Sequence, residues 1–202
     1  MQQLIIATRN KKKLKELKRL LKGLPVKVKG LHQLKGKIPK IKEDKKTFIA
    51  NAKKKALIIS KLIKGAIVLA DDSGLVVGCL GGAPGINSAR YAGVSQNDDK
   101  NIAKLLKNMK SINTKRGAYF ICTAVIARNN KVVGVAEGKI EGIIAKERHG
   151  RSGFGYDPVF IPKGHKKTFA WMKPAYKNRI SHRAKALKQA KTIIQKYLRE
   201  HP

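Results

Sequence analysis

Acidic residues are scarce in this sequence: 12 aspartates and glutamates stand against 46 lysines and arginines, which gives a formal net charge of +34. A net charge of this size bears on which partners the protein attracts, and it says nothing about the fold. It permits incidental, non-specific nucleic-acid binding, speeds the approach of any polyanionic ligand, or reflects a genome biased towards lysine codons. Aromatic residues make up only 5% of the chain. This argues against a dedicated binder of single-stranded nucleic acid, which needs a row of stacking side chains.

Long apolar runs are also missing. The longest, about residues 118–127, is far shorter than the roughly 20 residues that span a bilayer. Residues 4–7 are too few for the apolar core of a signal peptide. We therefore expect no membrane segment and a cytoplasmic protein. The two cysteines, Cys79 and Cys122, lack metal-ligand spacing and lie in apolar segments, so we expect two buried free thiols.

Helix signals divide the chain into regular segments. Asn10 and Thr47 are typical N-caps, and they predict helices over residues 11–21 and 48–64. Ser95 with Asp98 predicts the start of a third helix, and Ser181 predicts the start of the last one, to about residue 199. No linker or repeat interrupts this series, so we expect a single domain over residues 1–202.

Strand signals alternate with these helices. Apolar segments predict strands at residues 4–7, 26–28 and 67–70, and residues 118–128 and 132–144 predict a long hairpin that turns at Asn129-Asn130. Early strand–helix alternation followed by a hairpin indicates an α/β protein with a mixed twisted sheet and flanking helices. The loops that carry motifs are then expected at one end of that sheet.

The segment over residues 67–74 combines an apolar strand with charge. Asp71, Asp72, Ser73 and Gly74 are expected to end the strand with acids, a hydroxyl and a turn former. Successive strand residues face opposite sides, so one of the two carboxylates can face a pocket while the other supports it. In a chain with so few acids, this pair is a candidate catalytic site.

Two other segments suit an anionic or planar ligand. The strand that ends near Thr8 passes directly into a helix, whose N-terminus offers free N–H groups and a positive dipole end to a phosphate. Taken alone, Lys11 and Lys12 would be solvated charges, and Asn51 with Lys55 would be an exposed pair. The glycine-rich residues 150–160 hold aromatic side chains that suit a planar ligand, although a surface turn would look similar.

These features favour metal-assisted attack of water on phosphorus. No Walker A, HExxH, nucleophile-elbow or EF-hand pattern is present. A polyphosphate needs lysines or N–H groups to spread its charge and Mg²⁺ on a carboxylate to polarise the bond, and a carboxylate can also accept the proton of water. Asp72 can serve either role, which by itself indicates no more than a nucleotide or phosphate enzyme.

Six motifs resemble the inosine/xanthosine triphosphate pyrophosphatase family, and they occur in family order over nearly the whole chain. They are ATRNKKKLKEL (7–17), TFIANAKKKA (47–56), ADDSGL (70–75), LGGAPGINSARYAG (80–93), GFGYDPVF (153–160) and KNRISHRAKAL (177–187). The resemblance implies an inosine triphosphatase-like fold with an active-site cleft between two lobes. It also implies Mg²⁺-dependent hydrolysis of ITP, dITP and XTP to monophosphate and pyrophosphate, which clears them from the nucleotide pool, by a homodimer.

The resemblance also implies roles for individual residues. Asp72 matches the proton acceptor and Mg²⁺ ligand, and Glu43 can take the place of a second metal ligand, although Lys45 stands where glycine is usual. The remaining positions match substrate contacts: Thr8, Arg9, Asn10, Lys11, Lys12, Lys13 and Lys55 near the phosphates, Phe154, Gly155, Tyr156 and Asp157 in the loop that meets the nucleoside, and Ser73, Lys177, His182 and Arg183 as further substrate contacts. We expect Phe154 to stack on the base and His182-Arg183 to meet its 6-oxo edge.

Two rival interpretations remain open at this point. One is a related pyrophosphatase that acts on modified pyrimidine nucleotides, which base preference would distinguish. The other is a basic nucleic-acid-binding protein on the same scaffold, favoured by the net charge of +34.

Overall fold

A computed structural model describes residues 1–34, 36, 38–94 and 96–201. Its six-stranded sheet has the order β2-β1-β3-β4-β5-β6. The strands are β1 (Gln3–Ile6), β2 (Lys27–Gly30), β3 (Ile67–Val77), β4 (Gly117–Arg128), β5 (Lys131–Ile144) and β6 (Phe160–Pro162). β1 pairs in parallel with β2 and β3, whereas β5 and β6 are antiparallel. The predicted mixed α/β sheet is confirmed.

Five α-helices accompany the sheet in the described part of the chain. They are α1 (Lys11–Leu20), α2 (Phe48–Leu62), α3 (Asp98–Asn108), α4 (Pro174–Ile180) and α5 (His182–Glu200). The predicted caps of the first two are confirmed, because the side chain of Asn10 accepts a hydrogen bond from the Lys13 amide and that of Thr47 accepts one from the Ala50 amide. None of the helices described is long and apolar enough to cross a membrane.

The chain divides into two compact units. Unit 1 comprises Met1–Asp72, Cys122–Gly138 and Ala184–Pro202, and unit 2 comprises Ser73–Ile121 and Lys139–Arg183. The single domain and the cleft between two lobes stay predictions.

Unit 1 has a core on each face of its strands. Leu4, Ile6, Ile67 and Leu69 pack with α1 and α5, while Ile5, Ala7, Val68 and Ala70 pack with α2. The two sets alternate along β1 and β3, which is the period expected of strands covered on both sides. This arrangement places the carboxyl end of β1 and the middle of β3 beside the N-terminal parts of α1 and α2.

Unit 2 has a separate aromatic core. Phe120 of β4, Phe160 of β6 and Phe169 pack together, with ring centroids 4.6 Å apart for the first two and 5.3 Å apart for the last two. Tyr156 and Val159 are buried in the same cluster. The core therefore anchors Tyr156, Val159 and Phe160 in the segment that follows Gly153.

The structure corrects three local expectations. β3 does not end at Ala70 but continues through the two aspartates to Val77, because tertiary partners compensate the buried carboxylates, as described below. Cys122 is buried as expected, but Cys79 is exposed, since it lies in a short 3-10 helix that follows β3. Asn97 caps α3, and Ser95 lies outside the described residues.

Candidate active site

The two adjacent aspartates lie in the middle of β3 and are both buried, with 2% and 7% of their surfaces exposed. Their side chains have different partners, as the alternation of a strand requires. An oxygen of Asp71 lies 2.7 Å from Lys13 Nζ and 3.6 Å from Cys122 Sγ. An oxygen of Asp72 accepts a hydrogen bond of 3.0 Å from the side-chain amide of Asn51. Asp71 thus supports Lys13, and Asp72 is held by α2.

One face of α2 supplies further charge at this place in unit 1. Asn51 and Lys55 are one helical turn apart, and they are 1% and 8% exposed. The Lys55 ammonium donates to Glu43 Oε1 at 2.5 Å and to the backbone carbonyl of Asp71 at 2.6 Å. The interpretation of Asn51 and Lys55 as an exposed pair is therefore wrong. The spacing of four residues places both side chains on one face of α2, and this was the feature of the sequence that could have indicated a buried polar face.

Burial and neighbouring charge perturb the titration of this cluster. Burial raises the pKa of Asp72 above its ordinary value, and the charge of Glu43 adds to this, while Lys55 and Lys13 oppose it. Burial by itself would lower the pKa of Lys55, but the carboxylates of Glu43, Asp72 and Asp71 outweigh it, so the pKa of Lys55 is raised. The result is a charged lysine beside a carboxylate with increased proton affinity.

The N-terminus of α1 carries the predicted phosphate-binding residues. Thr8 Oγ1 accepts a hydrogen bond from the Asn10 amide, and Asn10 Oδ1 accepts one from the Lys13 amide. The start of such a helix directs its first amides and its positive dipole end towards a ligand. Lys13 turns inward to Asp71. Lys11 and Lys12 are exposed. The Arg9 guanidinium donates to the backbone carbonyl of Ile38 at 2.6 Å.

The donor set in unit 1 fits a hard divalent cation. The Asp72 and Glu43 carboxylates both act on the Lys55 ammonium, and both offer oxygen ligands. In the described ranges, His, Cys, Asp and Glu form no group of three or more that could hold a metal ion. Mg²⁺ commonly binds through one or two carboxylates and takes its other ligands from water and substrate phosphates. The pair therefore suits magnesium better than a metal that needs a complete protein cage.

In unit 2, a buried ion pair organises the residues that follow Gly153. Lys177 Nζ lies 2.5 Å from Asp157 Oδ2, and the two side chains are 8% and 4% exposed. The same carboxylate oxygen accepts a hydrogen bond of 2.9 Å from the Phe154 amide. Asp157 thus links α4 to the backbone that carries the Phe154 ring.

The Phe154 ring has two cationic neighbours in unit 2. Lys177 Nζ is 5.1 Å and Arg183 Cζ is 5.3 Å from its centroid. Arg183 also donates to Ser73 Oγ at 3.1 Å. His182 is buried and stacks on Phe120, with centroids 4.7 Å apart and an angle of 10° between the rings. An aromatic face with adjacent hydrogen-bond donors can recognise a planar, oxygen-bearing ligand.

Tyr156 and Gly155 are held by other parts of unit 2. The Tyr156 hydroxyl donates to the backbone carbonyl of Ser88 at 2.9 Å, and burial raises its pKa. The Gly155 amide donates to Asp98 at 2.7 Å. Sequence reasoning did not identify Ser88 or Asp98 as supports, because nothing in the local pattern indicates such long-range contacts.

The predicted site residues thus form two groups. Unit 1 holds Asp72 with Lys13, Lys55 and Glu43, and unit 2 holds Phe154 with Asp157, Lys177, Ser73 and Arg183. A buried carboxylate, its neighbouring lysines and the N-terminus of α1 together favour an α/β enzyme that acts on a phosphorylated ligand.

The chain belongs to the Ham1 family, whose family model matches residues 4–193. It is 45% identical over 195 residues to a dITP/XTP pyrophosphatase of Bacillus licheniformis, which covers 96% of this chain and 98% of the relative. It is 41% identical over 202 residues to a dITP/XTP pyrophosphatase of Clostridium tetani, which covers 99% and 100%. The solved structure of a HAM1 protein from Coxiella burnetii superposes with a TM-score of 0.87 at 37% identity, covering 97% of this chain and 100% of that one.

Proposed function

We propose that this protein hydrolyses the non-standard purine nucleoside triphosphates dITP, XTP and ITP to the monophosphate and pyrophosphate, and so removes them from the nucleotide pool. The full-length similarity to dITP/XTP pyrophosphatases supports the reaction. The single structural observation that carries it is Asp72, a buried carboxylate that Asn51 orients and Lys55 accompanies.

Binding of the triphosphate is assigned to the basic end of unit 1. Lys13 and the N-terminus of α1 offer positive charge to phosphate oxygens, supported by Thr8, Arg9 and Asn10. Lys55 offers a second ammonium that keeps its charge because its pKa is raised. Exposed Lys11 and Lys12 contribute to attraction rather than to fixed contacts.

Asp72 acts as the proton acceptor in this proposal. Its raised pKa increases its affinity for a proton from water, which suits a general base. The water oxygen forms a bond to the α-phosphorus, the bond from that phosphorus to the bridging oxygen breaks, and pyrophosphate leaves. The Asn51 amide donates to one carboxylate oxygen and so fixes the orientation of the Asp72 carboxylate.

Asp72 and Glu43 are the residues that would hold Mg²⁺. Bound there, Mg²⁺ would neutralise polyphosphate charge and polarise the reacting bond. Replacement of Glu43 by Gln should raise the Mg²⁺ concentration needed for half-maximal pyrophosphate release. The adjacent Asp44, which pairs with Lys54 at a more exposed position, provides the matched control Asp44→Asn. Equal effects of the two substitutions would remove Glu43 from the metal site.

Recognition of the base is assigned to unit 2. The half-buried Phe154 ring supports stacking, and His182 with Arg183 supplies donors for a 6-oxo group. Lys177 and Asp157 hold the segment over residues 154–157. An unpaired buried polar group costs about 1–3 kcal/mol, which is enough for roughly tenfold to hundredfold discrimination against the 6-amino group of adenine.

The site of attack can be tested directly with isotopic water. Hydrolysis of dITP in ¹⁸O-labelled water should place the label in the monophosphate and leave pyrophosphate unlabelled. Label in orthophosphate with release of a diphosphate would contradict the proposed reaction. The homodimer that the family resemblance implies is part of the same proposal, and light scattering with size-exclusion chromatography tests it.

A further inference from the structure

A row of cations follows the outer face of α1. Lys15, Lys18, Arg19 and Lys22 are spaced three, four and seven residues from the first, so they lie on one side of the helix and its C-terminal turn. We name these four residues the α1 basic face. They line a groove of about 430 Å³ together with Leu21, Gly23, Leu24, Val26 and Val28.

The charge of the α1 basic face meets no compensating carboxylate in the part of the chain that the structure describes. Among the residues that the structure describes, none of its four cations forms an ion pair with a carboxylate. Lys18 donates to the neutral side chain of Gln33 at 3.1 Å. Glu16, the acid of α1, is buried. Like charges four residues apart repel one another on a helix, so this face favours a polyanion.

The neighbouring helix extends the same surface. α1 and α5 pack through Leu14, Leu17, Leu187 and Ala190 in one core of unit 1. Lys191 of α5 donates to the backbone carbonyl of Lys22 at 2.7 Å, which holds a fifth ammonium beside the groove. The cations thus lie on a rigid two-helix support rather than on a flexible tail.

The groove offers an apolar ligand little surface. Leu21, Leu24 and Val26 at its base are buried already, so an amphipathic peptide or a lipid chain would gain little apolar area there. None of the described residues that line the groove is aromatic, so unstacked bases would find no aromatic side chain to stack on. The groups that a ligand in the groove can contact are a row of ammonium and guanidinium groups.

The length of the row suits a phosphodiester backbone. Lys15 and Lys22 are seven residues apart, which is about 10 Å along a helix. One strand of duplex DNA carries a phosphate about every 3.4 Å of its axis, so roughly three consecutive phosphates match the row. The overall charge of +34 adds long-range attraction for such a ligand.

We propose that the α1 basic face binds the phosphate backbone of duplex nucleic acid without sequence preference. None of its four residues is among those assigned to hydrolysis, so this proposal is independent of the proposed function. It differs from diffuse attraction because it places the contacts on α1 and makes them saturable.

Two variants of equal charge change test the proposal. The first replaces three cations of the α1 basic face, and the second replaces three exposed lysines on and just after α3. The substitutions are Lys15→Glu, Arg19→Glu and Lys22→Glu in the first variant, and Lys100→Glu, Lys107→Glu and Lys110→Glu in the second. Fluorescence anisotropy of a short labelled DNA duplex is measured for each protein between about 50 and 200 mM salt.

The decisive quantity is the slope of log K for the duplex against log salt concentration. Each lost phosphate contact lowers the slope of log K against log salt by about 0.9, so the first variant should lose about 2.7 and the second should keep nearly the parent slope. Both should retain folding and pyrophosphate release. Equal losses in the two variants, or no saturable binding by the parent, would overturn the proposal. Binding of an acidic peptide or anionic vesicles through this face, with no binding of the duplex, would also overturn it.

Discussion

Loss of the Asp157 carboxylate should destabilise unit 2 far more than loss of a similar carboxylate at the surface. In Asp157→Asn, the buried Lys177 ammonium loses its counter-ion, and the Phe154 amide loses a charged acceptor. Removal of one partner of a buried ion pair costs about 3–5 kcal/mol. For a chain of this size, 1 kcal/mol corresponds to about 2–4 °C, so the melting temperature should fall by about 6–20 °C.

The ion pair of Asp99 and Arg148 provides a matched control in the same unit. Its atoms are 2.6 Å apart, but the side chains are 74% and 47% exposed. Exposed pairs contribute about 0–1 kcal/mol, so Asp99→Asn should lower the melting temperature by less than about 4 °C. The fluorescence of Trp171, the single tryptophan, follows the unfolding of unit 2.

Two further measurements identify why Asp157→Asn loses stability. Replacement of both charges, by Asn at Asp157 and Met at Lys177, should recover part of the stability, because the Lys177 charge is then removed together with its counter-ion. Asp157→Asn should also raise KM for XTP more than it lowers kcat, because it loosens the backbone of Phe154. Equal small decreases in melting temperature for the buried and exposed substitutions, with KM unchanged, would show that the Asp157–Lys177 pair neither stabilises unit 2 nor holds Phe154.

Three other substitutions test separate parts of the structure. Gly153→Ala should destabilise the protein much more than Gly155→Ala. Both glycines have positive φ, but only a Cβ at Gly153 would collide with the Asp157 carboxylate. Urea unfolding of the two variants checks this, and similar unfolding midpoints would contradict it. Tyr156→Phe should cost about 1–3 kcal/mol by leaving the Ser88 carbonyl unpaired, while kcat stays near the parent value; a large loss of kcat would instead give the hydroxyl a catalytic role. Because the pKa of Asp72 is raised in the folded state, its favourable contribution to stability is complete below the ordinary value of 3.8 and is lost as pH rises through the folded pKa. Without divalent metal, Asp72→Asn should therefore unfold at higher urea than the parent at pH 8, with a difference that shrinks towards pH 4; a variant less stable at pH 8 would show that Asp72 is stabilised by its charge.

Local rules were sufficient for the starts of α1 and α2 and for the hairpin. The caps at Asn10 and Thr47 depend on hydrogen bonds within one turn, and the turn at Asn129-Asn130 depends on positive φ values of 49° and 61°, which asparagine tolerates. Such features are contained in a few consecutive residues. The sequence pattern could therefore predict them.

The site could be predicted only in part. Asp71 and Asp72 were expected to end their strand, because acids are poor strand formers when considered locally. Lys13 of α1 and Asn51 of α2 approach them from elsewhere in the chain and allow β3 to continue. The burial of Lys55 likewise depends on Glu43, twelve residues away. The motif resemblance identified these positions, but their partners required the fold.

The most direct test of the central claim is pyrophosphate release from dITP, XTP, ATP and GTP with Mg²⁺, for the parent and for Asp72→Asn. We expect fast release from dITP and XTP, little from ATP and GTP, and loss of turnover in the variant while substrate binding persists. Equal turnover of all four nucleotides, or undiminished turnover by Asp72→Asn, would contradict it.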